Sequence, residues 1–506
     1  MPRPPSLTRR DVIRGLAAVS GATAGASALL DPRALAQSAA NPRFLVVLCA
    51  GGGGSIIDGP LAIRASESAN ADTVNTFPDE VVTGWEGSPF RAADLSGPDM
   101  GPIPALWRVE PSKILARRRS DLMVATWTRT SVNHRVGQRR SVTGNEAWTG
   151  RTLQELVAWQ YGADVPIPNV HLLAGTGYSE HGTDDTIPPW ARGQVVANPA
   201  TWPLSLDGAR GLQPGLSPEV LAAVRTHRNG VFEPDTRFQQ VFSDAPRLVR
   251  WRDLRGTPQE RIEGMDLITR LMVQPDTDAF PLGAYGLESS PAGQLVRETF
   301  PHYDFDPLHA QAALAFLLLK YRVSVTVTLG PTFDFVFDEA VPYDPSAILP
   351  ENSVVNPPLA FDSSHQAHRS GQAVVWSKLY AVIDGLIALL SSEDMGDGTS
   401  MWDHTMIYVA SDFGRSKTRP AGAREWGTSH DLNNGVMVYS PLVPGDTLRG
   451  GVDPDTGLTY GFDPQTGAPE PGRTMAEAEV FAGLLGALGV DTSGSGLPDV
   501  PAMRKG

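Results

Sequence analysis

The chain has 506 residues, and its 42 basic and 56 acidic side chains give a formal charge of −14 at neutral pH. An acidic surface argues against a nucleic-acid partner and an anionic membrane surface, because both carry charge of the same sign. The single cysteine, Cys49, excludes a disulfide within the chain.

The first 36 residues have the three parts of a bacterial export signal. Arg9 and Arg10 precede an uncharged stretch, 15–30, that is rich in Ala, Gly and Ser, and Ala34-Leu35-Ala36 offers small residues to a signal peptidase. Paired arginines before a weakly apolar run predict export of the folded protein by the twin-arginine route. The alternative, an ordinary helix with an arginine pair, requires three signals to coincide. We therefore expect residues 1–36 to be a signal peptide and the twin-arginine machinery to be a partner.

The mature protein is expected to be periplasmic or secreted, with no integral membrane segment. The apolar run of the signal is too short to span a bilayer comfortably, and no later stretch is expected to be long enough. About 470 residues remain after cleavage, which is enough for one large domain or two.

Buried strands and helices alternate along most of the remaining chain. In chain order, we predict strands at 44–50 and 122–127, helices at 152–161 and 310–320, a strand at 323–329, a helix at 373–390, strands at 406–410 and 436–439, and a helix at 475–488. Four glycines, 51–54, follow the first strand and let the backbone approach a bound group closely. The alternation predicts an α/β fold with a largely parallel central sheet flanked by helices.

Two regions rich in Pro and Gly interrupt this pattern. Residues 165–305 are predicted to be an inserted, irregular cap with helical fragments at 218–227 and 253–273, and residues 445–471 a surface excursion. We identify no internal repeat. Residues 37–506 are therefore predicted to form a single elaborated domain.

Polar side chains follow several of the predicted strands, or precede the strand at 436–439 or the helix at 373–390. They are Asp58, Asn133, His134, Asp362, His365, His368, Asp412, Arg415, His430 and Asp431. Ligands collect at the carboxyl ends of strands in α/β sheets, and Asp and His are natural ligands for Zn²⁺ and similar ions. We expect Asp362, His365, Asp412 and His430 to converge there, with His368 as a substitute for His365. Alternatively, Asp362 only caps the helix that follows, and the segment around Asp412 is only a turn.

In this order the motifs resemble the "domain of unknown function 1501" family, which is typically exported by the twin-arginine route and is similar to the alkaline phosphatase and sulfatase superfamily. Residues 408–415 resemble the family's strand ending in Ser-Glu-Phe-Gly-Arg, and residues 362–365 resemble its Asp-Thr-His segment. Residues 427–430 resemble its Gly-x-Asp-His, residues 133–138 its Ser-His-Phe-x-Ala-Gln, and residues 44–54 its first strand and glycine turn.

The resemblance implies an alkaline phosphatase/sulfatase-like fold and metal-assisted cleavage of a small anionic phosphate or sulfate ester. It makes Asp412 a metal carboxylate and has Asp362, His365 and His430 hold a divalent ion such as Zn, Ca or Mg. It also assigns His134 and Arg415 to catalysis, with Arg415 orienting an anionic group.

Three positions depart from the family pattern. Gly54 falls where the family has Asp, with Asp58 as a replacement nearby, and Ser429 falls where the family has another Asp. Asn133 replaces the family's Ser, so the nucleophile is either Ser131, with Thr130 as its neighbour, or water activated by the metal. The alternatives to such a hydrolase are a catalytically degenerate binding or structural protein and a metallohydrolase that cleaves another ester or an amide.

Overall fold

The computed structural model describes residues 42–95, 109–196, 198–199, 201–203, 218–232, 235–243, 245, 267–304, 306–331, 336–337, 354–356 and 361–505. The predicted signal peptide lies outside the described residues, as does most of the predicted helix at 253–273. The helix predicted at 218–227 is present.

A central sheet of eight strands forms the body of the protein. In chain order these strands are β1 Phe44–Ala50, β2 Leu122–Thr128, β3 Asn169–His171, β4 Gln194–Val195, β5 Thr326–Leu329, β6 Thr405–Ser411, β7 Asn433–Tyr439 and β8 Thr447–Arg449. Their order across the sheet is β8-β2-β7-β6-β1-β5-β3-β4. All pairings are parallel except those of β7 with β6 and with β2. The predicted α/β class and largely parallel sheet are therefore confirmed.

Helices cover both faces of this sheet. They are α1 Pro111–Arg118, α2 His134–Thr143, α3 Leu153–Tyr161, α4 Pro218–His227, α5 Arg237–Val241, α6 Leu267–Leu271, α7 Gly293–Thr299, α8 Pro307–Lys320, α9 His368–Ser391 and α10 Glu477–Ala487. In β1, Phe44 and Val46 pack with α8 and α9, whereas Leu45 and Val47 pack with α3 and α10. Burial on both faces explains why the strand is apolar at every position.

Short elements complete the fold. Single turns of 3₁₀ or π-helix lie at Ala65–Glu67, Asp79–Val81, Arg119–Asp121, Gly177–Ser179, Pro189–Ala191, Arg228–Phe232, Gly283–Tyr285, Phe361–His365, Met401–His404 and Pro501–Met503. Short strands outside the central sheet are Val82–Gly84, Arg91–Ala93, Val336–Phe337, Val354–Asn356, Gly414–Arg415, His430–Asp431, Gly451–Val452, Thr459–Phe462 and Pro469–Glu470.

The longest helix, α9, is long and apolar enough to cross a membrane by length and composition alone. This differs from the expectation that no segment after the signal is apolar over a length sufficient to span a membrane. Most of the helix is buried inside the protein, where Leu379, Ile383 and Leu386 belong to the core. Its apolarity is therefore explained by its packing between the sheet and the surrounding helices.

Residues 451–470 contain a tandem repeat of ten residues, GVDPDTGLTY followed by GFDPQTGAPE, so the expectation of no internal repeat is wrong. Each copy forms a hairpin with the same bonds. The amide of Asp453 donates to the Leu458 carbonyl at 2.9 Å, and the amide of Asp463 donates to the Ala468 carbonyl at 2.9 Å. The shared Asp-Pro-x-Thr-Gly sequence supplies the turn residues that both hairpins need.

Candidate metal centre

One edge of the central sheet gathers the polar residues singled out in the sequence. The parallel strands β1, β2 and β6 end at this edge, and they are followed by Gly52, His134 and Asp412. Strand β7 runs the opposite way, and its first residue, Asn433, pairs with Thr128 at the end of β2. Residues that precede β7 therefore arrive at the same edge as residues that follow the other strands.

Four side chains converge at this edge: His134, Asp362, His365 and His430. Each offers one ligand atom, and these atoms lie within 4.8 Å of one another. The side chains are 31, 43, 43 and 21% exposed in that order, so the cluster opens to solvent. It brings together three of the four predicted metal ligands with a histidine that had been assigned to catalysis.

The spacing of the donor atoms suits a single ion. Asp362 Oδ1 lies 3.2 Å from His134 Nε2, 3.3 Å from His365 Nε2 and 4.0 Å from His430 Nε2. Four ligands at zinc bond lengths of about 2.0–2.1 Å stand roughly 3.3 Å apart in a tetrahedron. Three imidazoles and one carboxylate form a donor set that Zn²⁺ and neighbouring transition metals accept, whereas Ca²⁺ and Mg²⁺ prefer oxygen. The residues therefore fit a transition metal better than the Ca²⁺ or Mg²⁺ also considered from the sequence.

The ring of His430 is held so that Nε2 faces the cluster. Its Nδ1 lies 2.8 Å from the Val132 carbonyl, an acceptor, so the ring proton sits on Nδ1 and Nε2 keeps its lone pair. Phe413 stacks on the ring with centroids 4.0 Å apart. His365 Nε2 lies 2.8 Å from His430 Nε2, and both atoms are thus aimed at one point. Burial, together with the charge of Arg415, lowers the pKa of both histidines, which favours their neutral, ligating form.

Asp412 stands behind His134 rather than among the donor atoms of the cluster. Its Oδ2 accepts the Nδ1–H of His134 at 2.8 Å and the Gly52 amide at 3.0 Å. Burial lowers the pKa of His134, but the hydrogen bonds and charges of Asp362 and Asp412 outweigh burial and raise the pKa to about 9. A carboxylate that holds the far nitrogen of a ligating histidine fixes its ring orientation and increases its basicity.

Arg415 is fully buried next to Asp362, and its donors are used by the protein. Nη2 lies 3.1 Å from Asp362 Oδ1 and also donates to the Phe361 carbonyl, while Nε donates to the Gly52 carbonyl at 2.9 Å. Nη1 donates to the Thr428 carbonyl at 3.3 Å. Burial raises the pKa of Asp362, but His134 and Arg415 hold it well below its usual range. Arg415 therefore orients Asp362. The resemblance implied that Arg415 orients an anionic substrate, but its guanidinium has no exposed donor for that role.

The glycine turn after β1 allows the segment that carries Asp362 to approach. Gly52 has φ +92°, and a Cβ at this position would lie 2.4 Å from the Asp362 amide nitrogen. The Phe361 amide donates to the Gly51 carbonyl at 2.8 Å. The turn thus contacts the segment that carries Asp362 directly, which gives the glycine at position 52 a structural reason.

Both predicted nucleophiles make hydrogen bonds with neighbouring groups. The hydroxyl of Ser131 accepts the Asn133 amide at 3.1 Å, and Asn133 caps α2 through the Val136 amide at 3.2 Å. The hydroxyl of Thr130 donates to Glu477 at 2.6 Å. These contacts place Ser131 and Thr130 in the turn that leads into α2, immediately before His134.

Asp58 and His368 do not join the cluster. They pair with each other, with His368 Nε2 3.0 Å from Asp58 Oδ2, and both side chains are buried. His368 is the first residue of α9, whereas Asp362 and His365 belong to the preceding 3₁₀ turn. Asp362, His365 and His368 therefore do not lie on one helical face. At the cluster, His368 does not replace His365, and Asp58 does not replace the family's Asp.

The comparisons with known proteins add no relative. No family model, no curated protein and no solved structure matches the chain. The resemblance described from the sequence therefore stays a prediction. The geometry of the cluster is the basis for the function proposed below.

Proposed function

We propose that this protein is an exported metal-dependent hydrolase that cleaves a small anionic phosphate or sulfate ester at a single divalent ion. The observation that carries the proposal is the convergence of His134, Asp362, His365 and His430 at a solvent-accessible sheet edge. Catalytic zinc sites keep a position for water, so hydrolysis here requires the ion to take water as a fifth ligand beside these four side chains or in place of one of them.

A bound divalent ion supplies Lewis acidity and lowers the pKa of water to about 7. The chain supplies the orientation of the ligands. Asp412 holds His134 through Nδ1, the Val132 carbonyl holds His430 through Nδ1, and Arg415 holds Asp362.

Direct attack by water is favoured over a covalent route. The hydroxyls of Ser131 and Thr130 have hydrogen-bond partners in the turn before α2. A covalent route through Thr130 would require its bond to Glu477 to be exchanged, whereas Ser131 only accepts a bond and stays the alternative nucleophile.

A second candidate is a metal-containing binding protein without turnover. The enclosure of Arg415 favours it, because the guanidinium nearest the cluster has no exposed donor to stabilise the charge that develops on an ester during cleavage. In either case we propose that residues 1–36 direct export and that the mature protein is periplasmic or secreted.

Metal analysis and one assay test the proposal. We expect purified mature protein to contain about one transition metal per chain and to turn over an aryl phosphate or an aryl sulfate. His430→Ala should remove both properties, whereas Ser131→Ala should retain most of the turnover. Activity that survives both chelation and His430→Ala would contradict metal-assisted hydrolysis. Bound metal without turnover of either ester would favour the binding protein.

A further inference from the structure

A buried pair, Asp58 and His368, lies next to the segment that carries His430. Asp58 Oδ2 is 3.0 Å from His368 Nε2, and the two side chains are 3% and 0% exposed. Asn75 Nδ2 donates to the same carboxylate oxygen at 2.9 Å. Buried charged groups are costly unless they are paired, so this pair holds its partners in a defined arrangement.

The other nitrogen of His368 reaches the segment that carries His430. His368 Nδ1 lies 3.0 Å from Thr428 Oγ1, and that hydroxyl lies 3.1 Å from the Ser364 carbonyl. The Thr428 hydroxyl thus contacts both the His368 ring and the Ser364 carbonyl. Asp58, His368, Thr428 and Ser364 therefore form one continuous chain of hydrogen bonds.

This chain joins the two segments that present His365 and His430. The Thr428 amide also donates to the Ser364 carbonyl at 2.8 Å. A Cβ at Gly427 would lie 2.3 Å from the His365 carbonyl oxygen, so the two backbones are in direct contact. Ser364 immediately precedes His365, and Thr428 lies two residues before His430.

The same segment is fixed to the start of α9. The His368 amide donates to the Trp426 carbonyl at 2.6 Å. Glu425 accepts the amides of Arg369 and Ser370 at 2.8 and 2.9 Å, as an acidic cap of the helix. Residues 425–428 are thus held on α9 by backbone and side-chain bonds, and the His368 ring contacts Thr428, two residues before His430.

We propose that Asp58, His368 and Thr428 are positioning residues that set the separation of His365 and His430 and so determine the affinity of the metal centre. The inference rests on the proposed metal site. It adds residues that are not ligands but hold two of the ligands in place. Partners that hold ligating residues in place contribute about 10–100-fold to metal affinity.

The test compares two substitutions that differ in one hydroxyl. Thr428→Val removes the hydroxyl that contacts both His368 Nδ1 and the Ser364 carbonyl with almost no change in shape, whereas Thr428→Ser keeps this hydroxyl. We expect Thr428→Val to weaken Zn²⁺ binding about 10-fold or more, and Thr428→Ser to stay near wild type. Affinity is measured by competition with a chromogenic chelator, on protein first stripped of metal.

A control separates positioning from general stability. Thr326 on β5 donates a buried hydrogen bond to Asn169 Oδ1 at 2.8 Å, near the opposite edge of the sheet. Thr326→Val makes the same chemical change there and should lower the free energy of unfolding in urea without changing Zn²⁺ affinity. Equal Zn²⁺ affinity of wild type and Thr428→Val would overturn the positioning role.

Further outcomes distinguish the two proposals. If wild-type protein binds no Zn²⁺ or other transition metal, the metal centre itself is wrong and the positioning role fails with it. If Thr428→Val does not fold, Asp58→Asn takes its place, because it keeps the shape of the side chain and removes the charge that His368 contacts. Unchanged Zn²⁺ affinity in folded Asp58→Asn would then overturn the inference.

Discussion

His134 has a carboxylate on each of its ring nitrogens, and the two carboxylates have different roles. Asp362 lies on the Nε2 side within the cluster, while Asp412 lies on the Nδ1 side and is itself held by the Gly52 amide. The sequence places Asp412 after a predicted strand and Asp362 before a predicted helix, and it gives no sign of which one faces an ion. The distinction depends on the orientation of a single ring.

Asp412→Ala should therefore weaken Zn²⁺ binding about 10–100-fold, because the ring of His134 loses the acceptor that orients it. Asp412→Asn keeps an acceptor and should lose less. The measurement is chelator competition at fixed pH. Asp121→Ala serves as the control, since Asp121 lies at the other end of β2, where it accepts the Trp402 indole N–H at 3.0 Å. An effect of Asp121→Ala as large as that of Asp412→Ala would argue against a specific role.

The pKa of His134 predicts how the metal-free protein responds to pH. Its folded pKa, raised to about 9, lies above the ordinary value of 6.5, so the stabilisation is complete below about pH 6.5 and is lost as the pH rises through 9. Lys417 acts in the opposite direction, because burial lowers its pKa to about 8. We therefore compare wild type with His134→Gln by urea unfolding in EDTA from pH 7 to 10. The free energy of unfolding should fall more steeply with pH in wild type, and parallel curves would contradict the pKa assignment.

At the scale of elements, one antiparallel strand and one glycine turn assemble the site. Strand β7 runs against its neighbours and brings His430 to the edge where β2 and β6 end. The turn after β1 lies against the backbone of Asp362. The site thus depends on how elements meet as well as on the residues that they carry.

Gly52→Ala should disturb the metal centre. The added Cβ would lie 2.4 Å from the Asp362 amide, and φ +92° is unfavourable for any L-residue with a side chain. Gly87→Ala is the matched control, because Gly87 also has a positive φ, +75°, but has no atom within 4 Å of the added Cβ. Backbone strain alone costs about 1–2 kcal/mol. We expect both variants to lose stability in urea and only Gly52→Ala to lose Zn²⁺ affinity as well. Equal affinity in the two variants would show that the close approach is unimportant.

At the scale of the whole molecule, the sheet is covered by helices on both faces, and Cys49 is buried within it. A chain without disulfides can complete this core in the cytoplasm before transport, which agrees with the export route proposed from residues 1–36. Folding before transport would also allow the metal to be acquired in either compartment.

Replacing Arg9 and Arg10 with Lys should stop export while leaving the mature protein unchanged. The expected result is retention of the tagged full-length chain in the cytoplasmic fraction, because the twin-arginine route reads the arginine pair itself. Conversion of Arg3 to Lys provides the control, since it makes the same charge-conserving change outside the pair. Normal periplasmic delivery of the double variant, or delivery in cells that lack the twin-arginine pore, would contradict the proposal.

The sequence alone predicts the main strands and helices closely, because complete apolar runs and helical spacing report burial directly. The strand predicted at 406–410 is found at Thr405–Ser411, and the helix predicted at 152–161 is found at Leu153–Tyr161 after its Thr152 cap. The prediction of helix α9 was too short at its start, since residues 368–372 are buried polar or small residues without an apolar pattern, and Glu425 accepts the amides of Arg369 and Ser370 there. A local sequence pattern contains no information about partners so far away in the chain.

For the site, the sequence identified the chemical types and approximate places of the residues, because Asp and His after strands are unusual in an otherwise apolar pattern. Only the tertiary structure decided their roles. It placed His134 with Asp362, His365 and His430, set Asp412 behind His134, enclosed Arg415, and paired Asp58 with His368. Each of these outcomes depends on contacts between residues tens to hundreds of positions apart. Such contacts are fixed by strand direction, by backbone approach at the glycine turn and by the burial of charge, none of which a local sequence pattern contains.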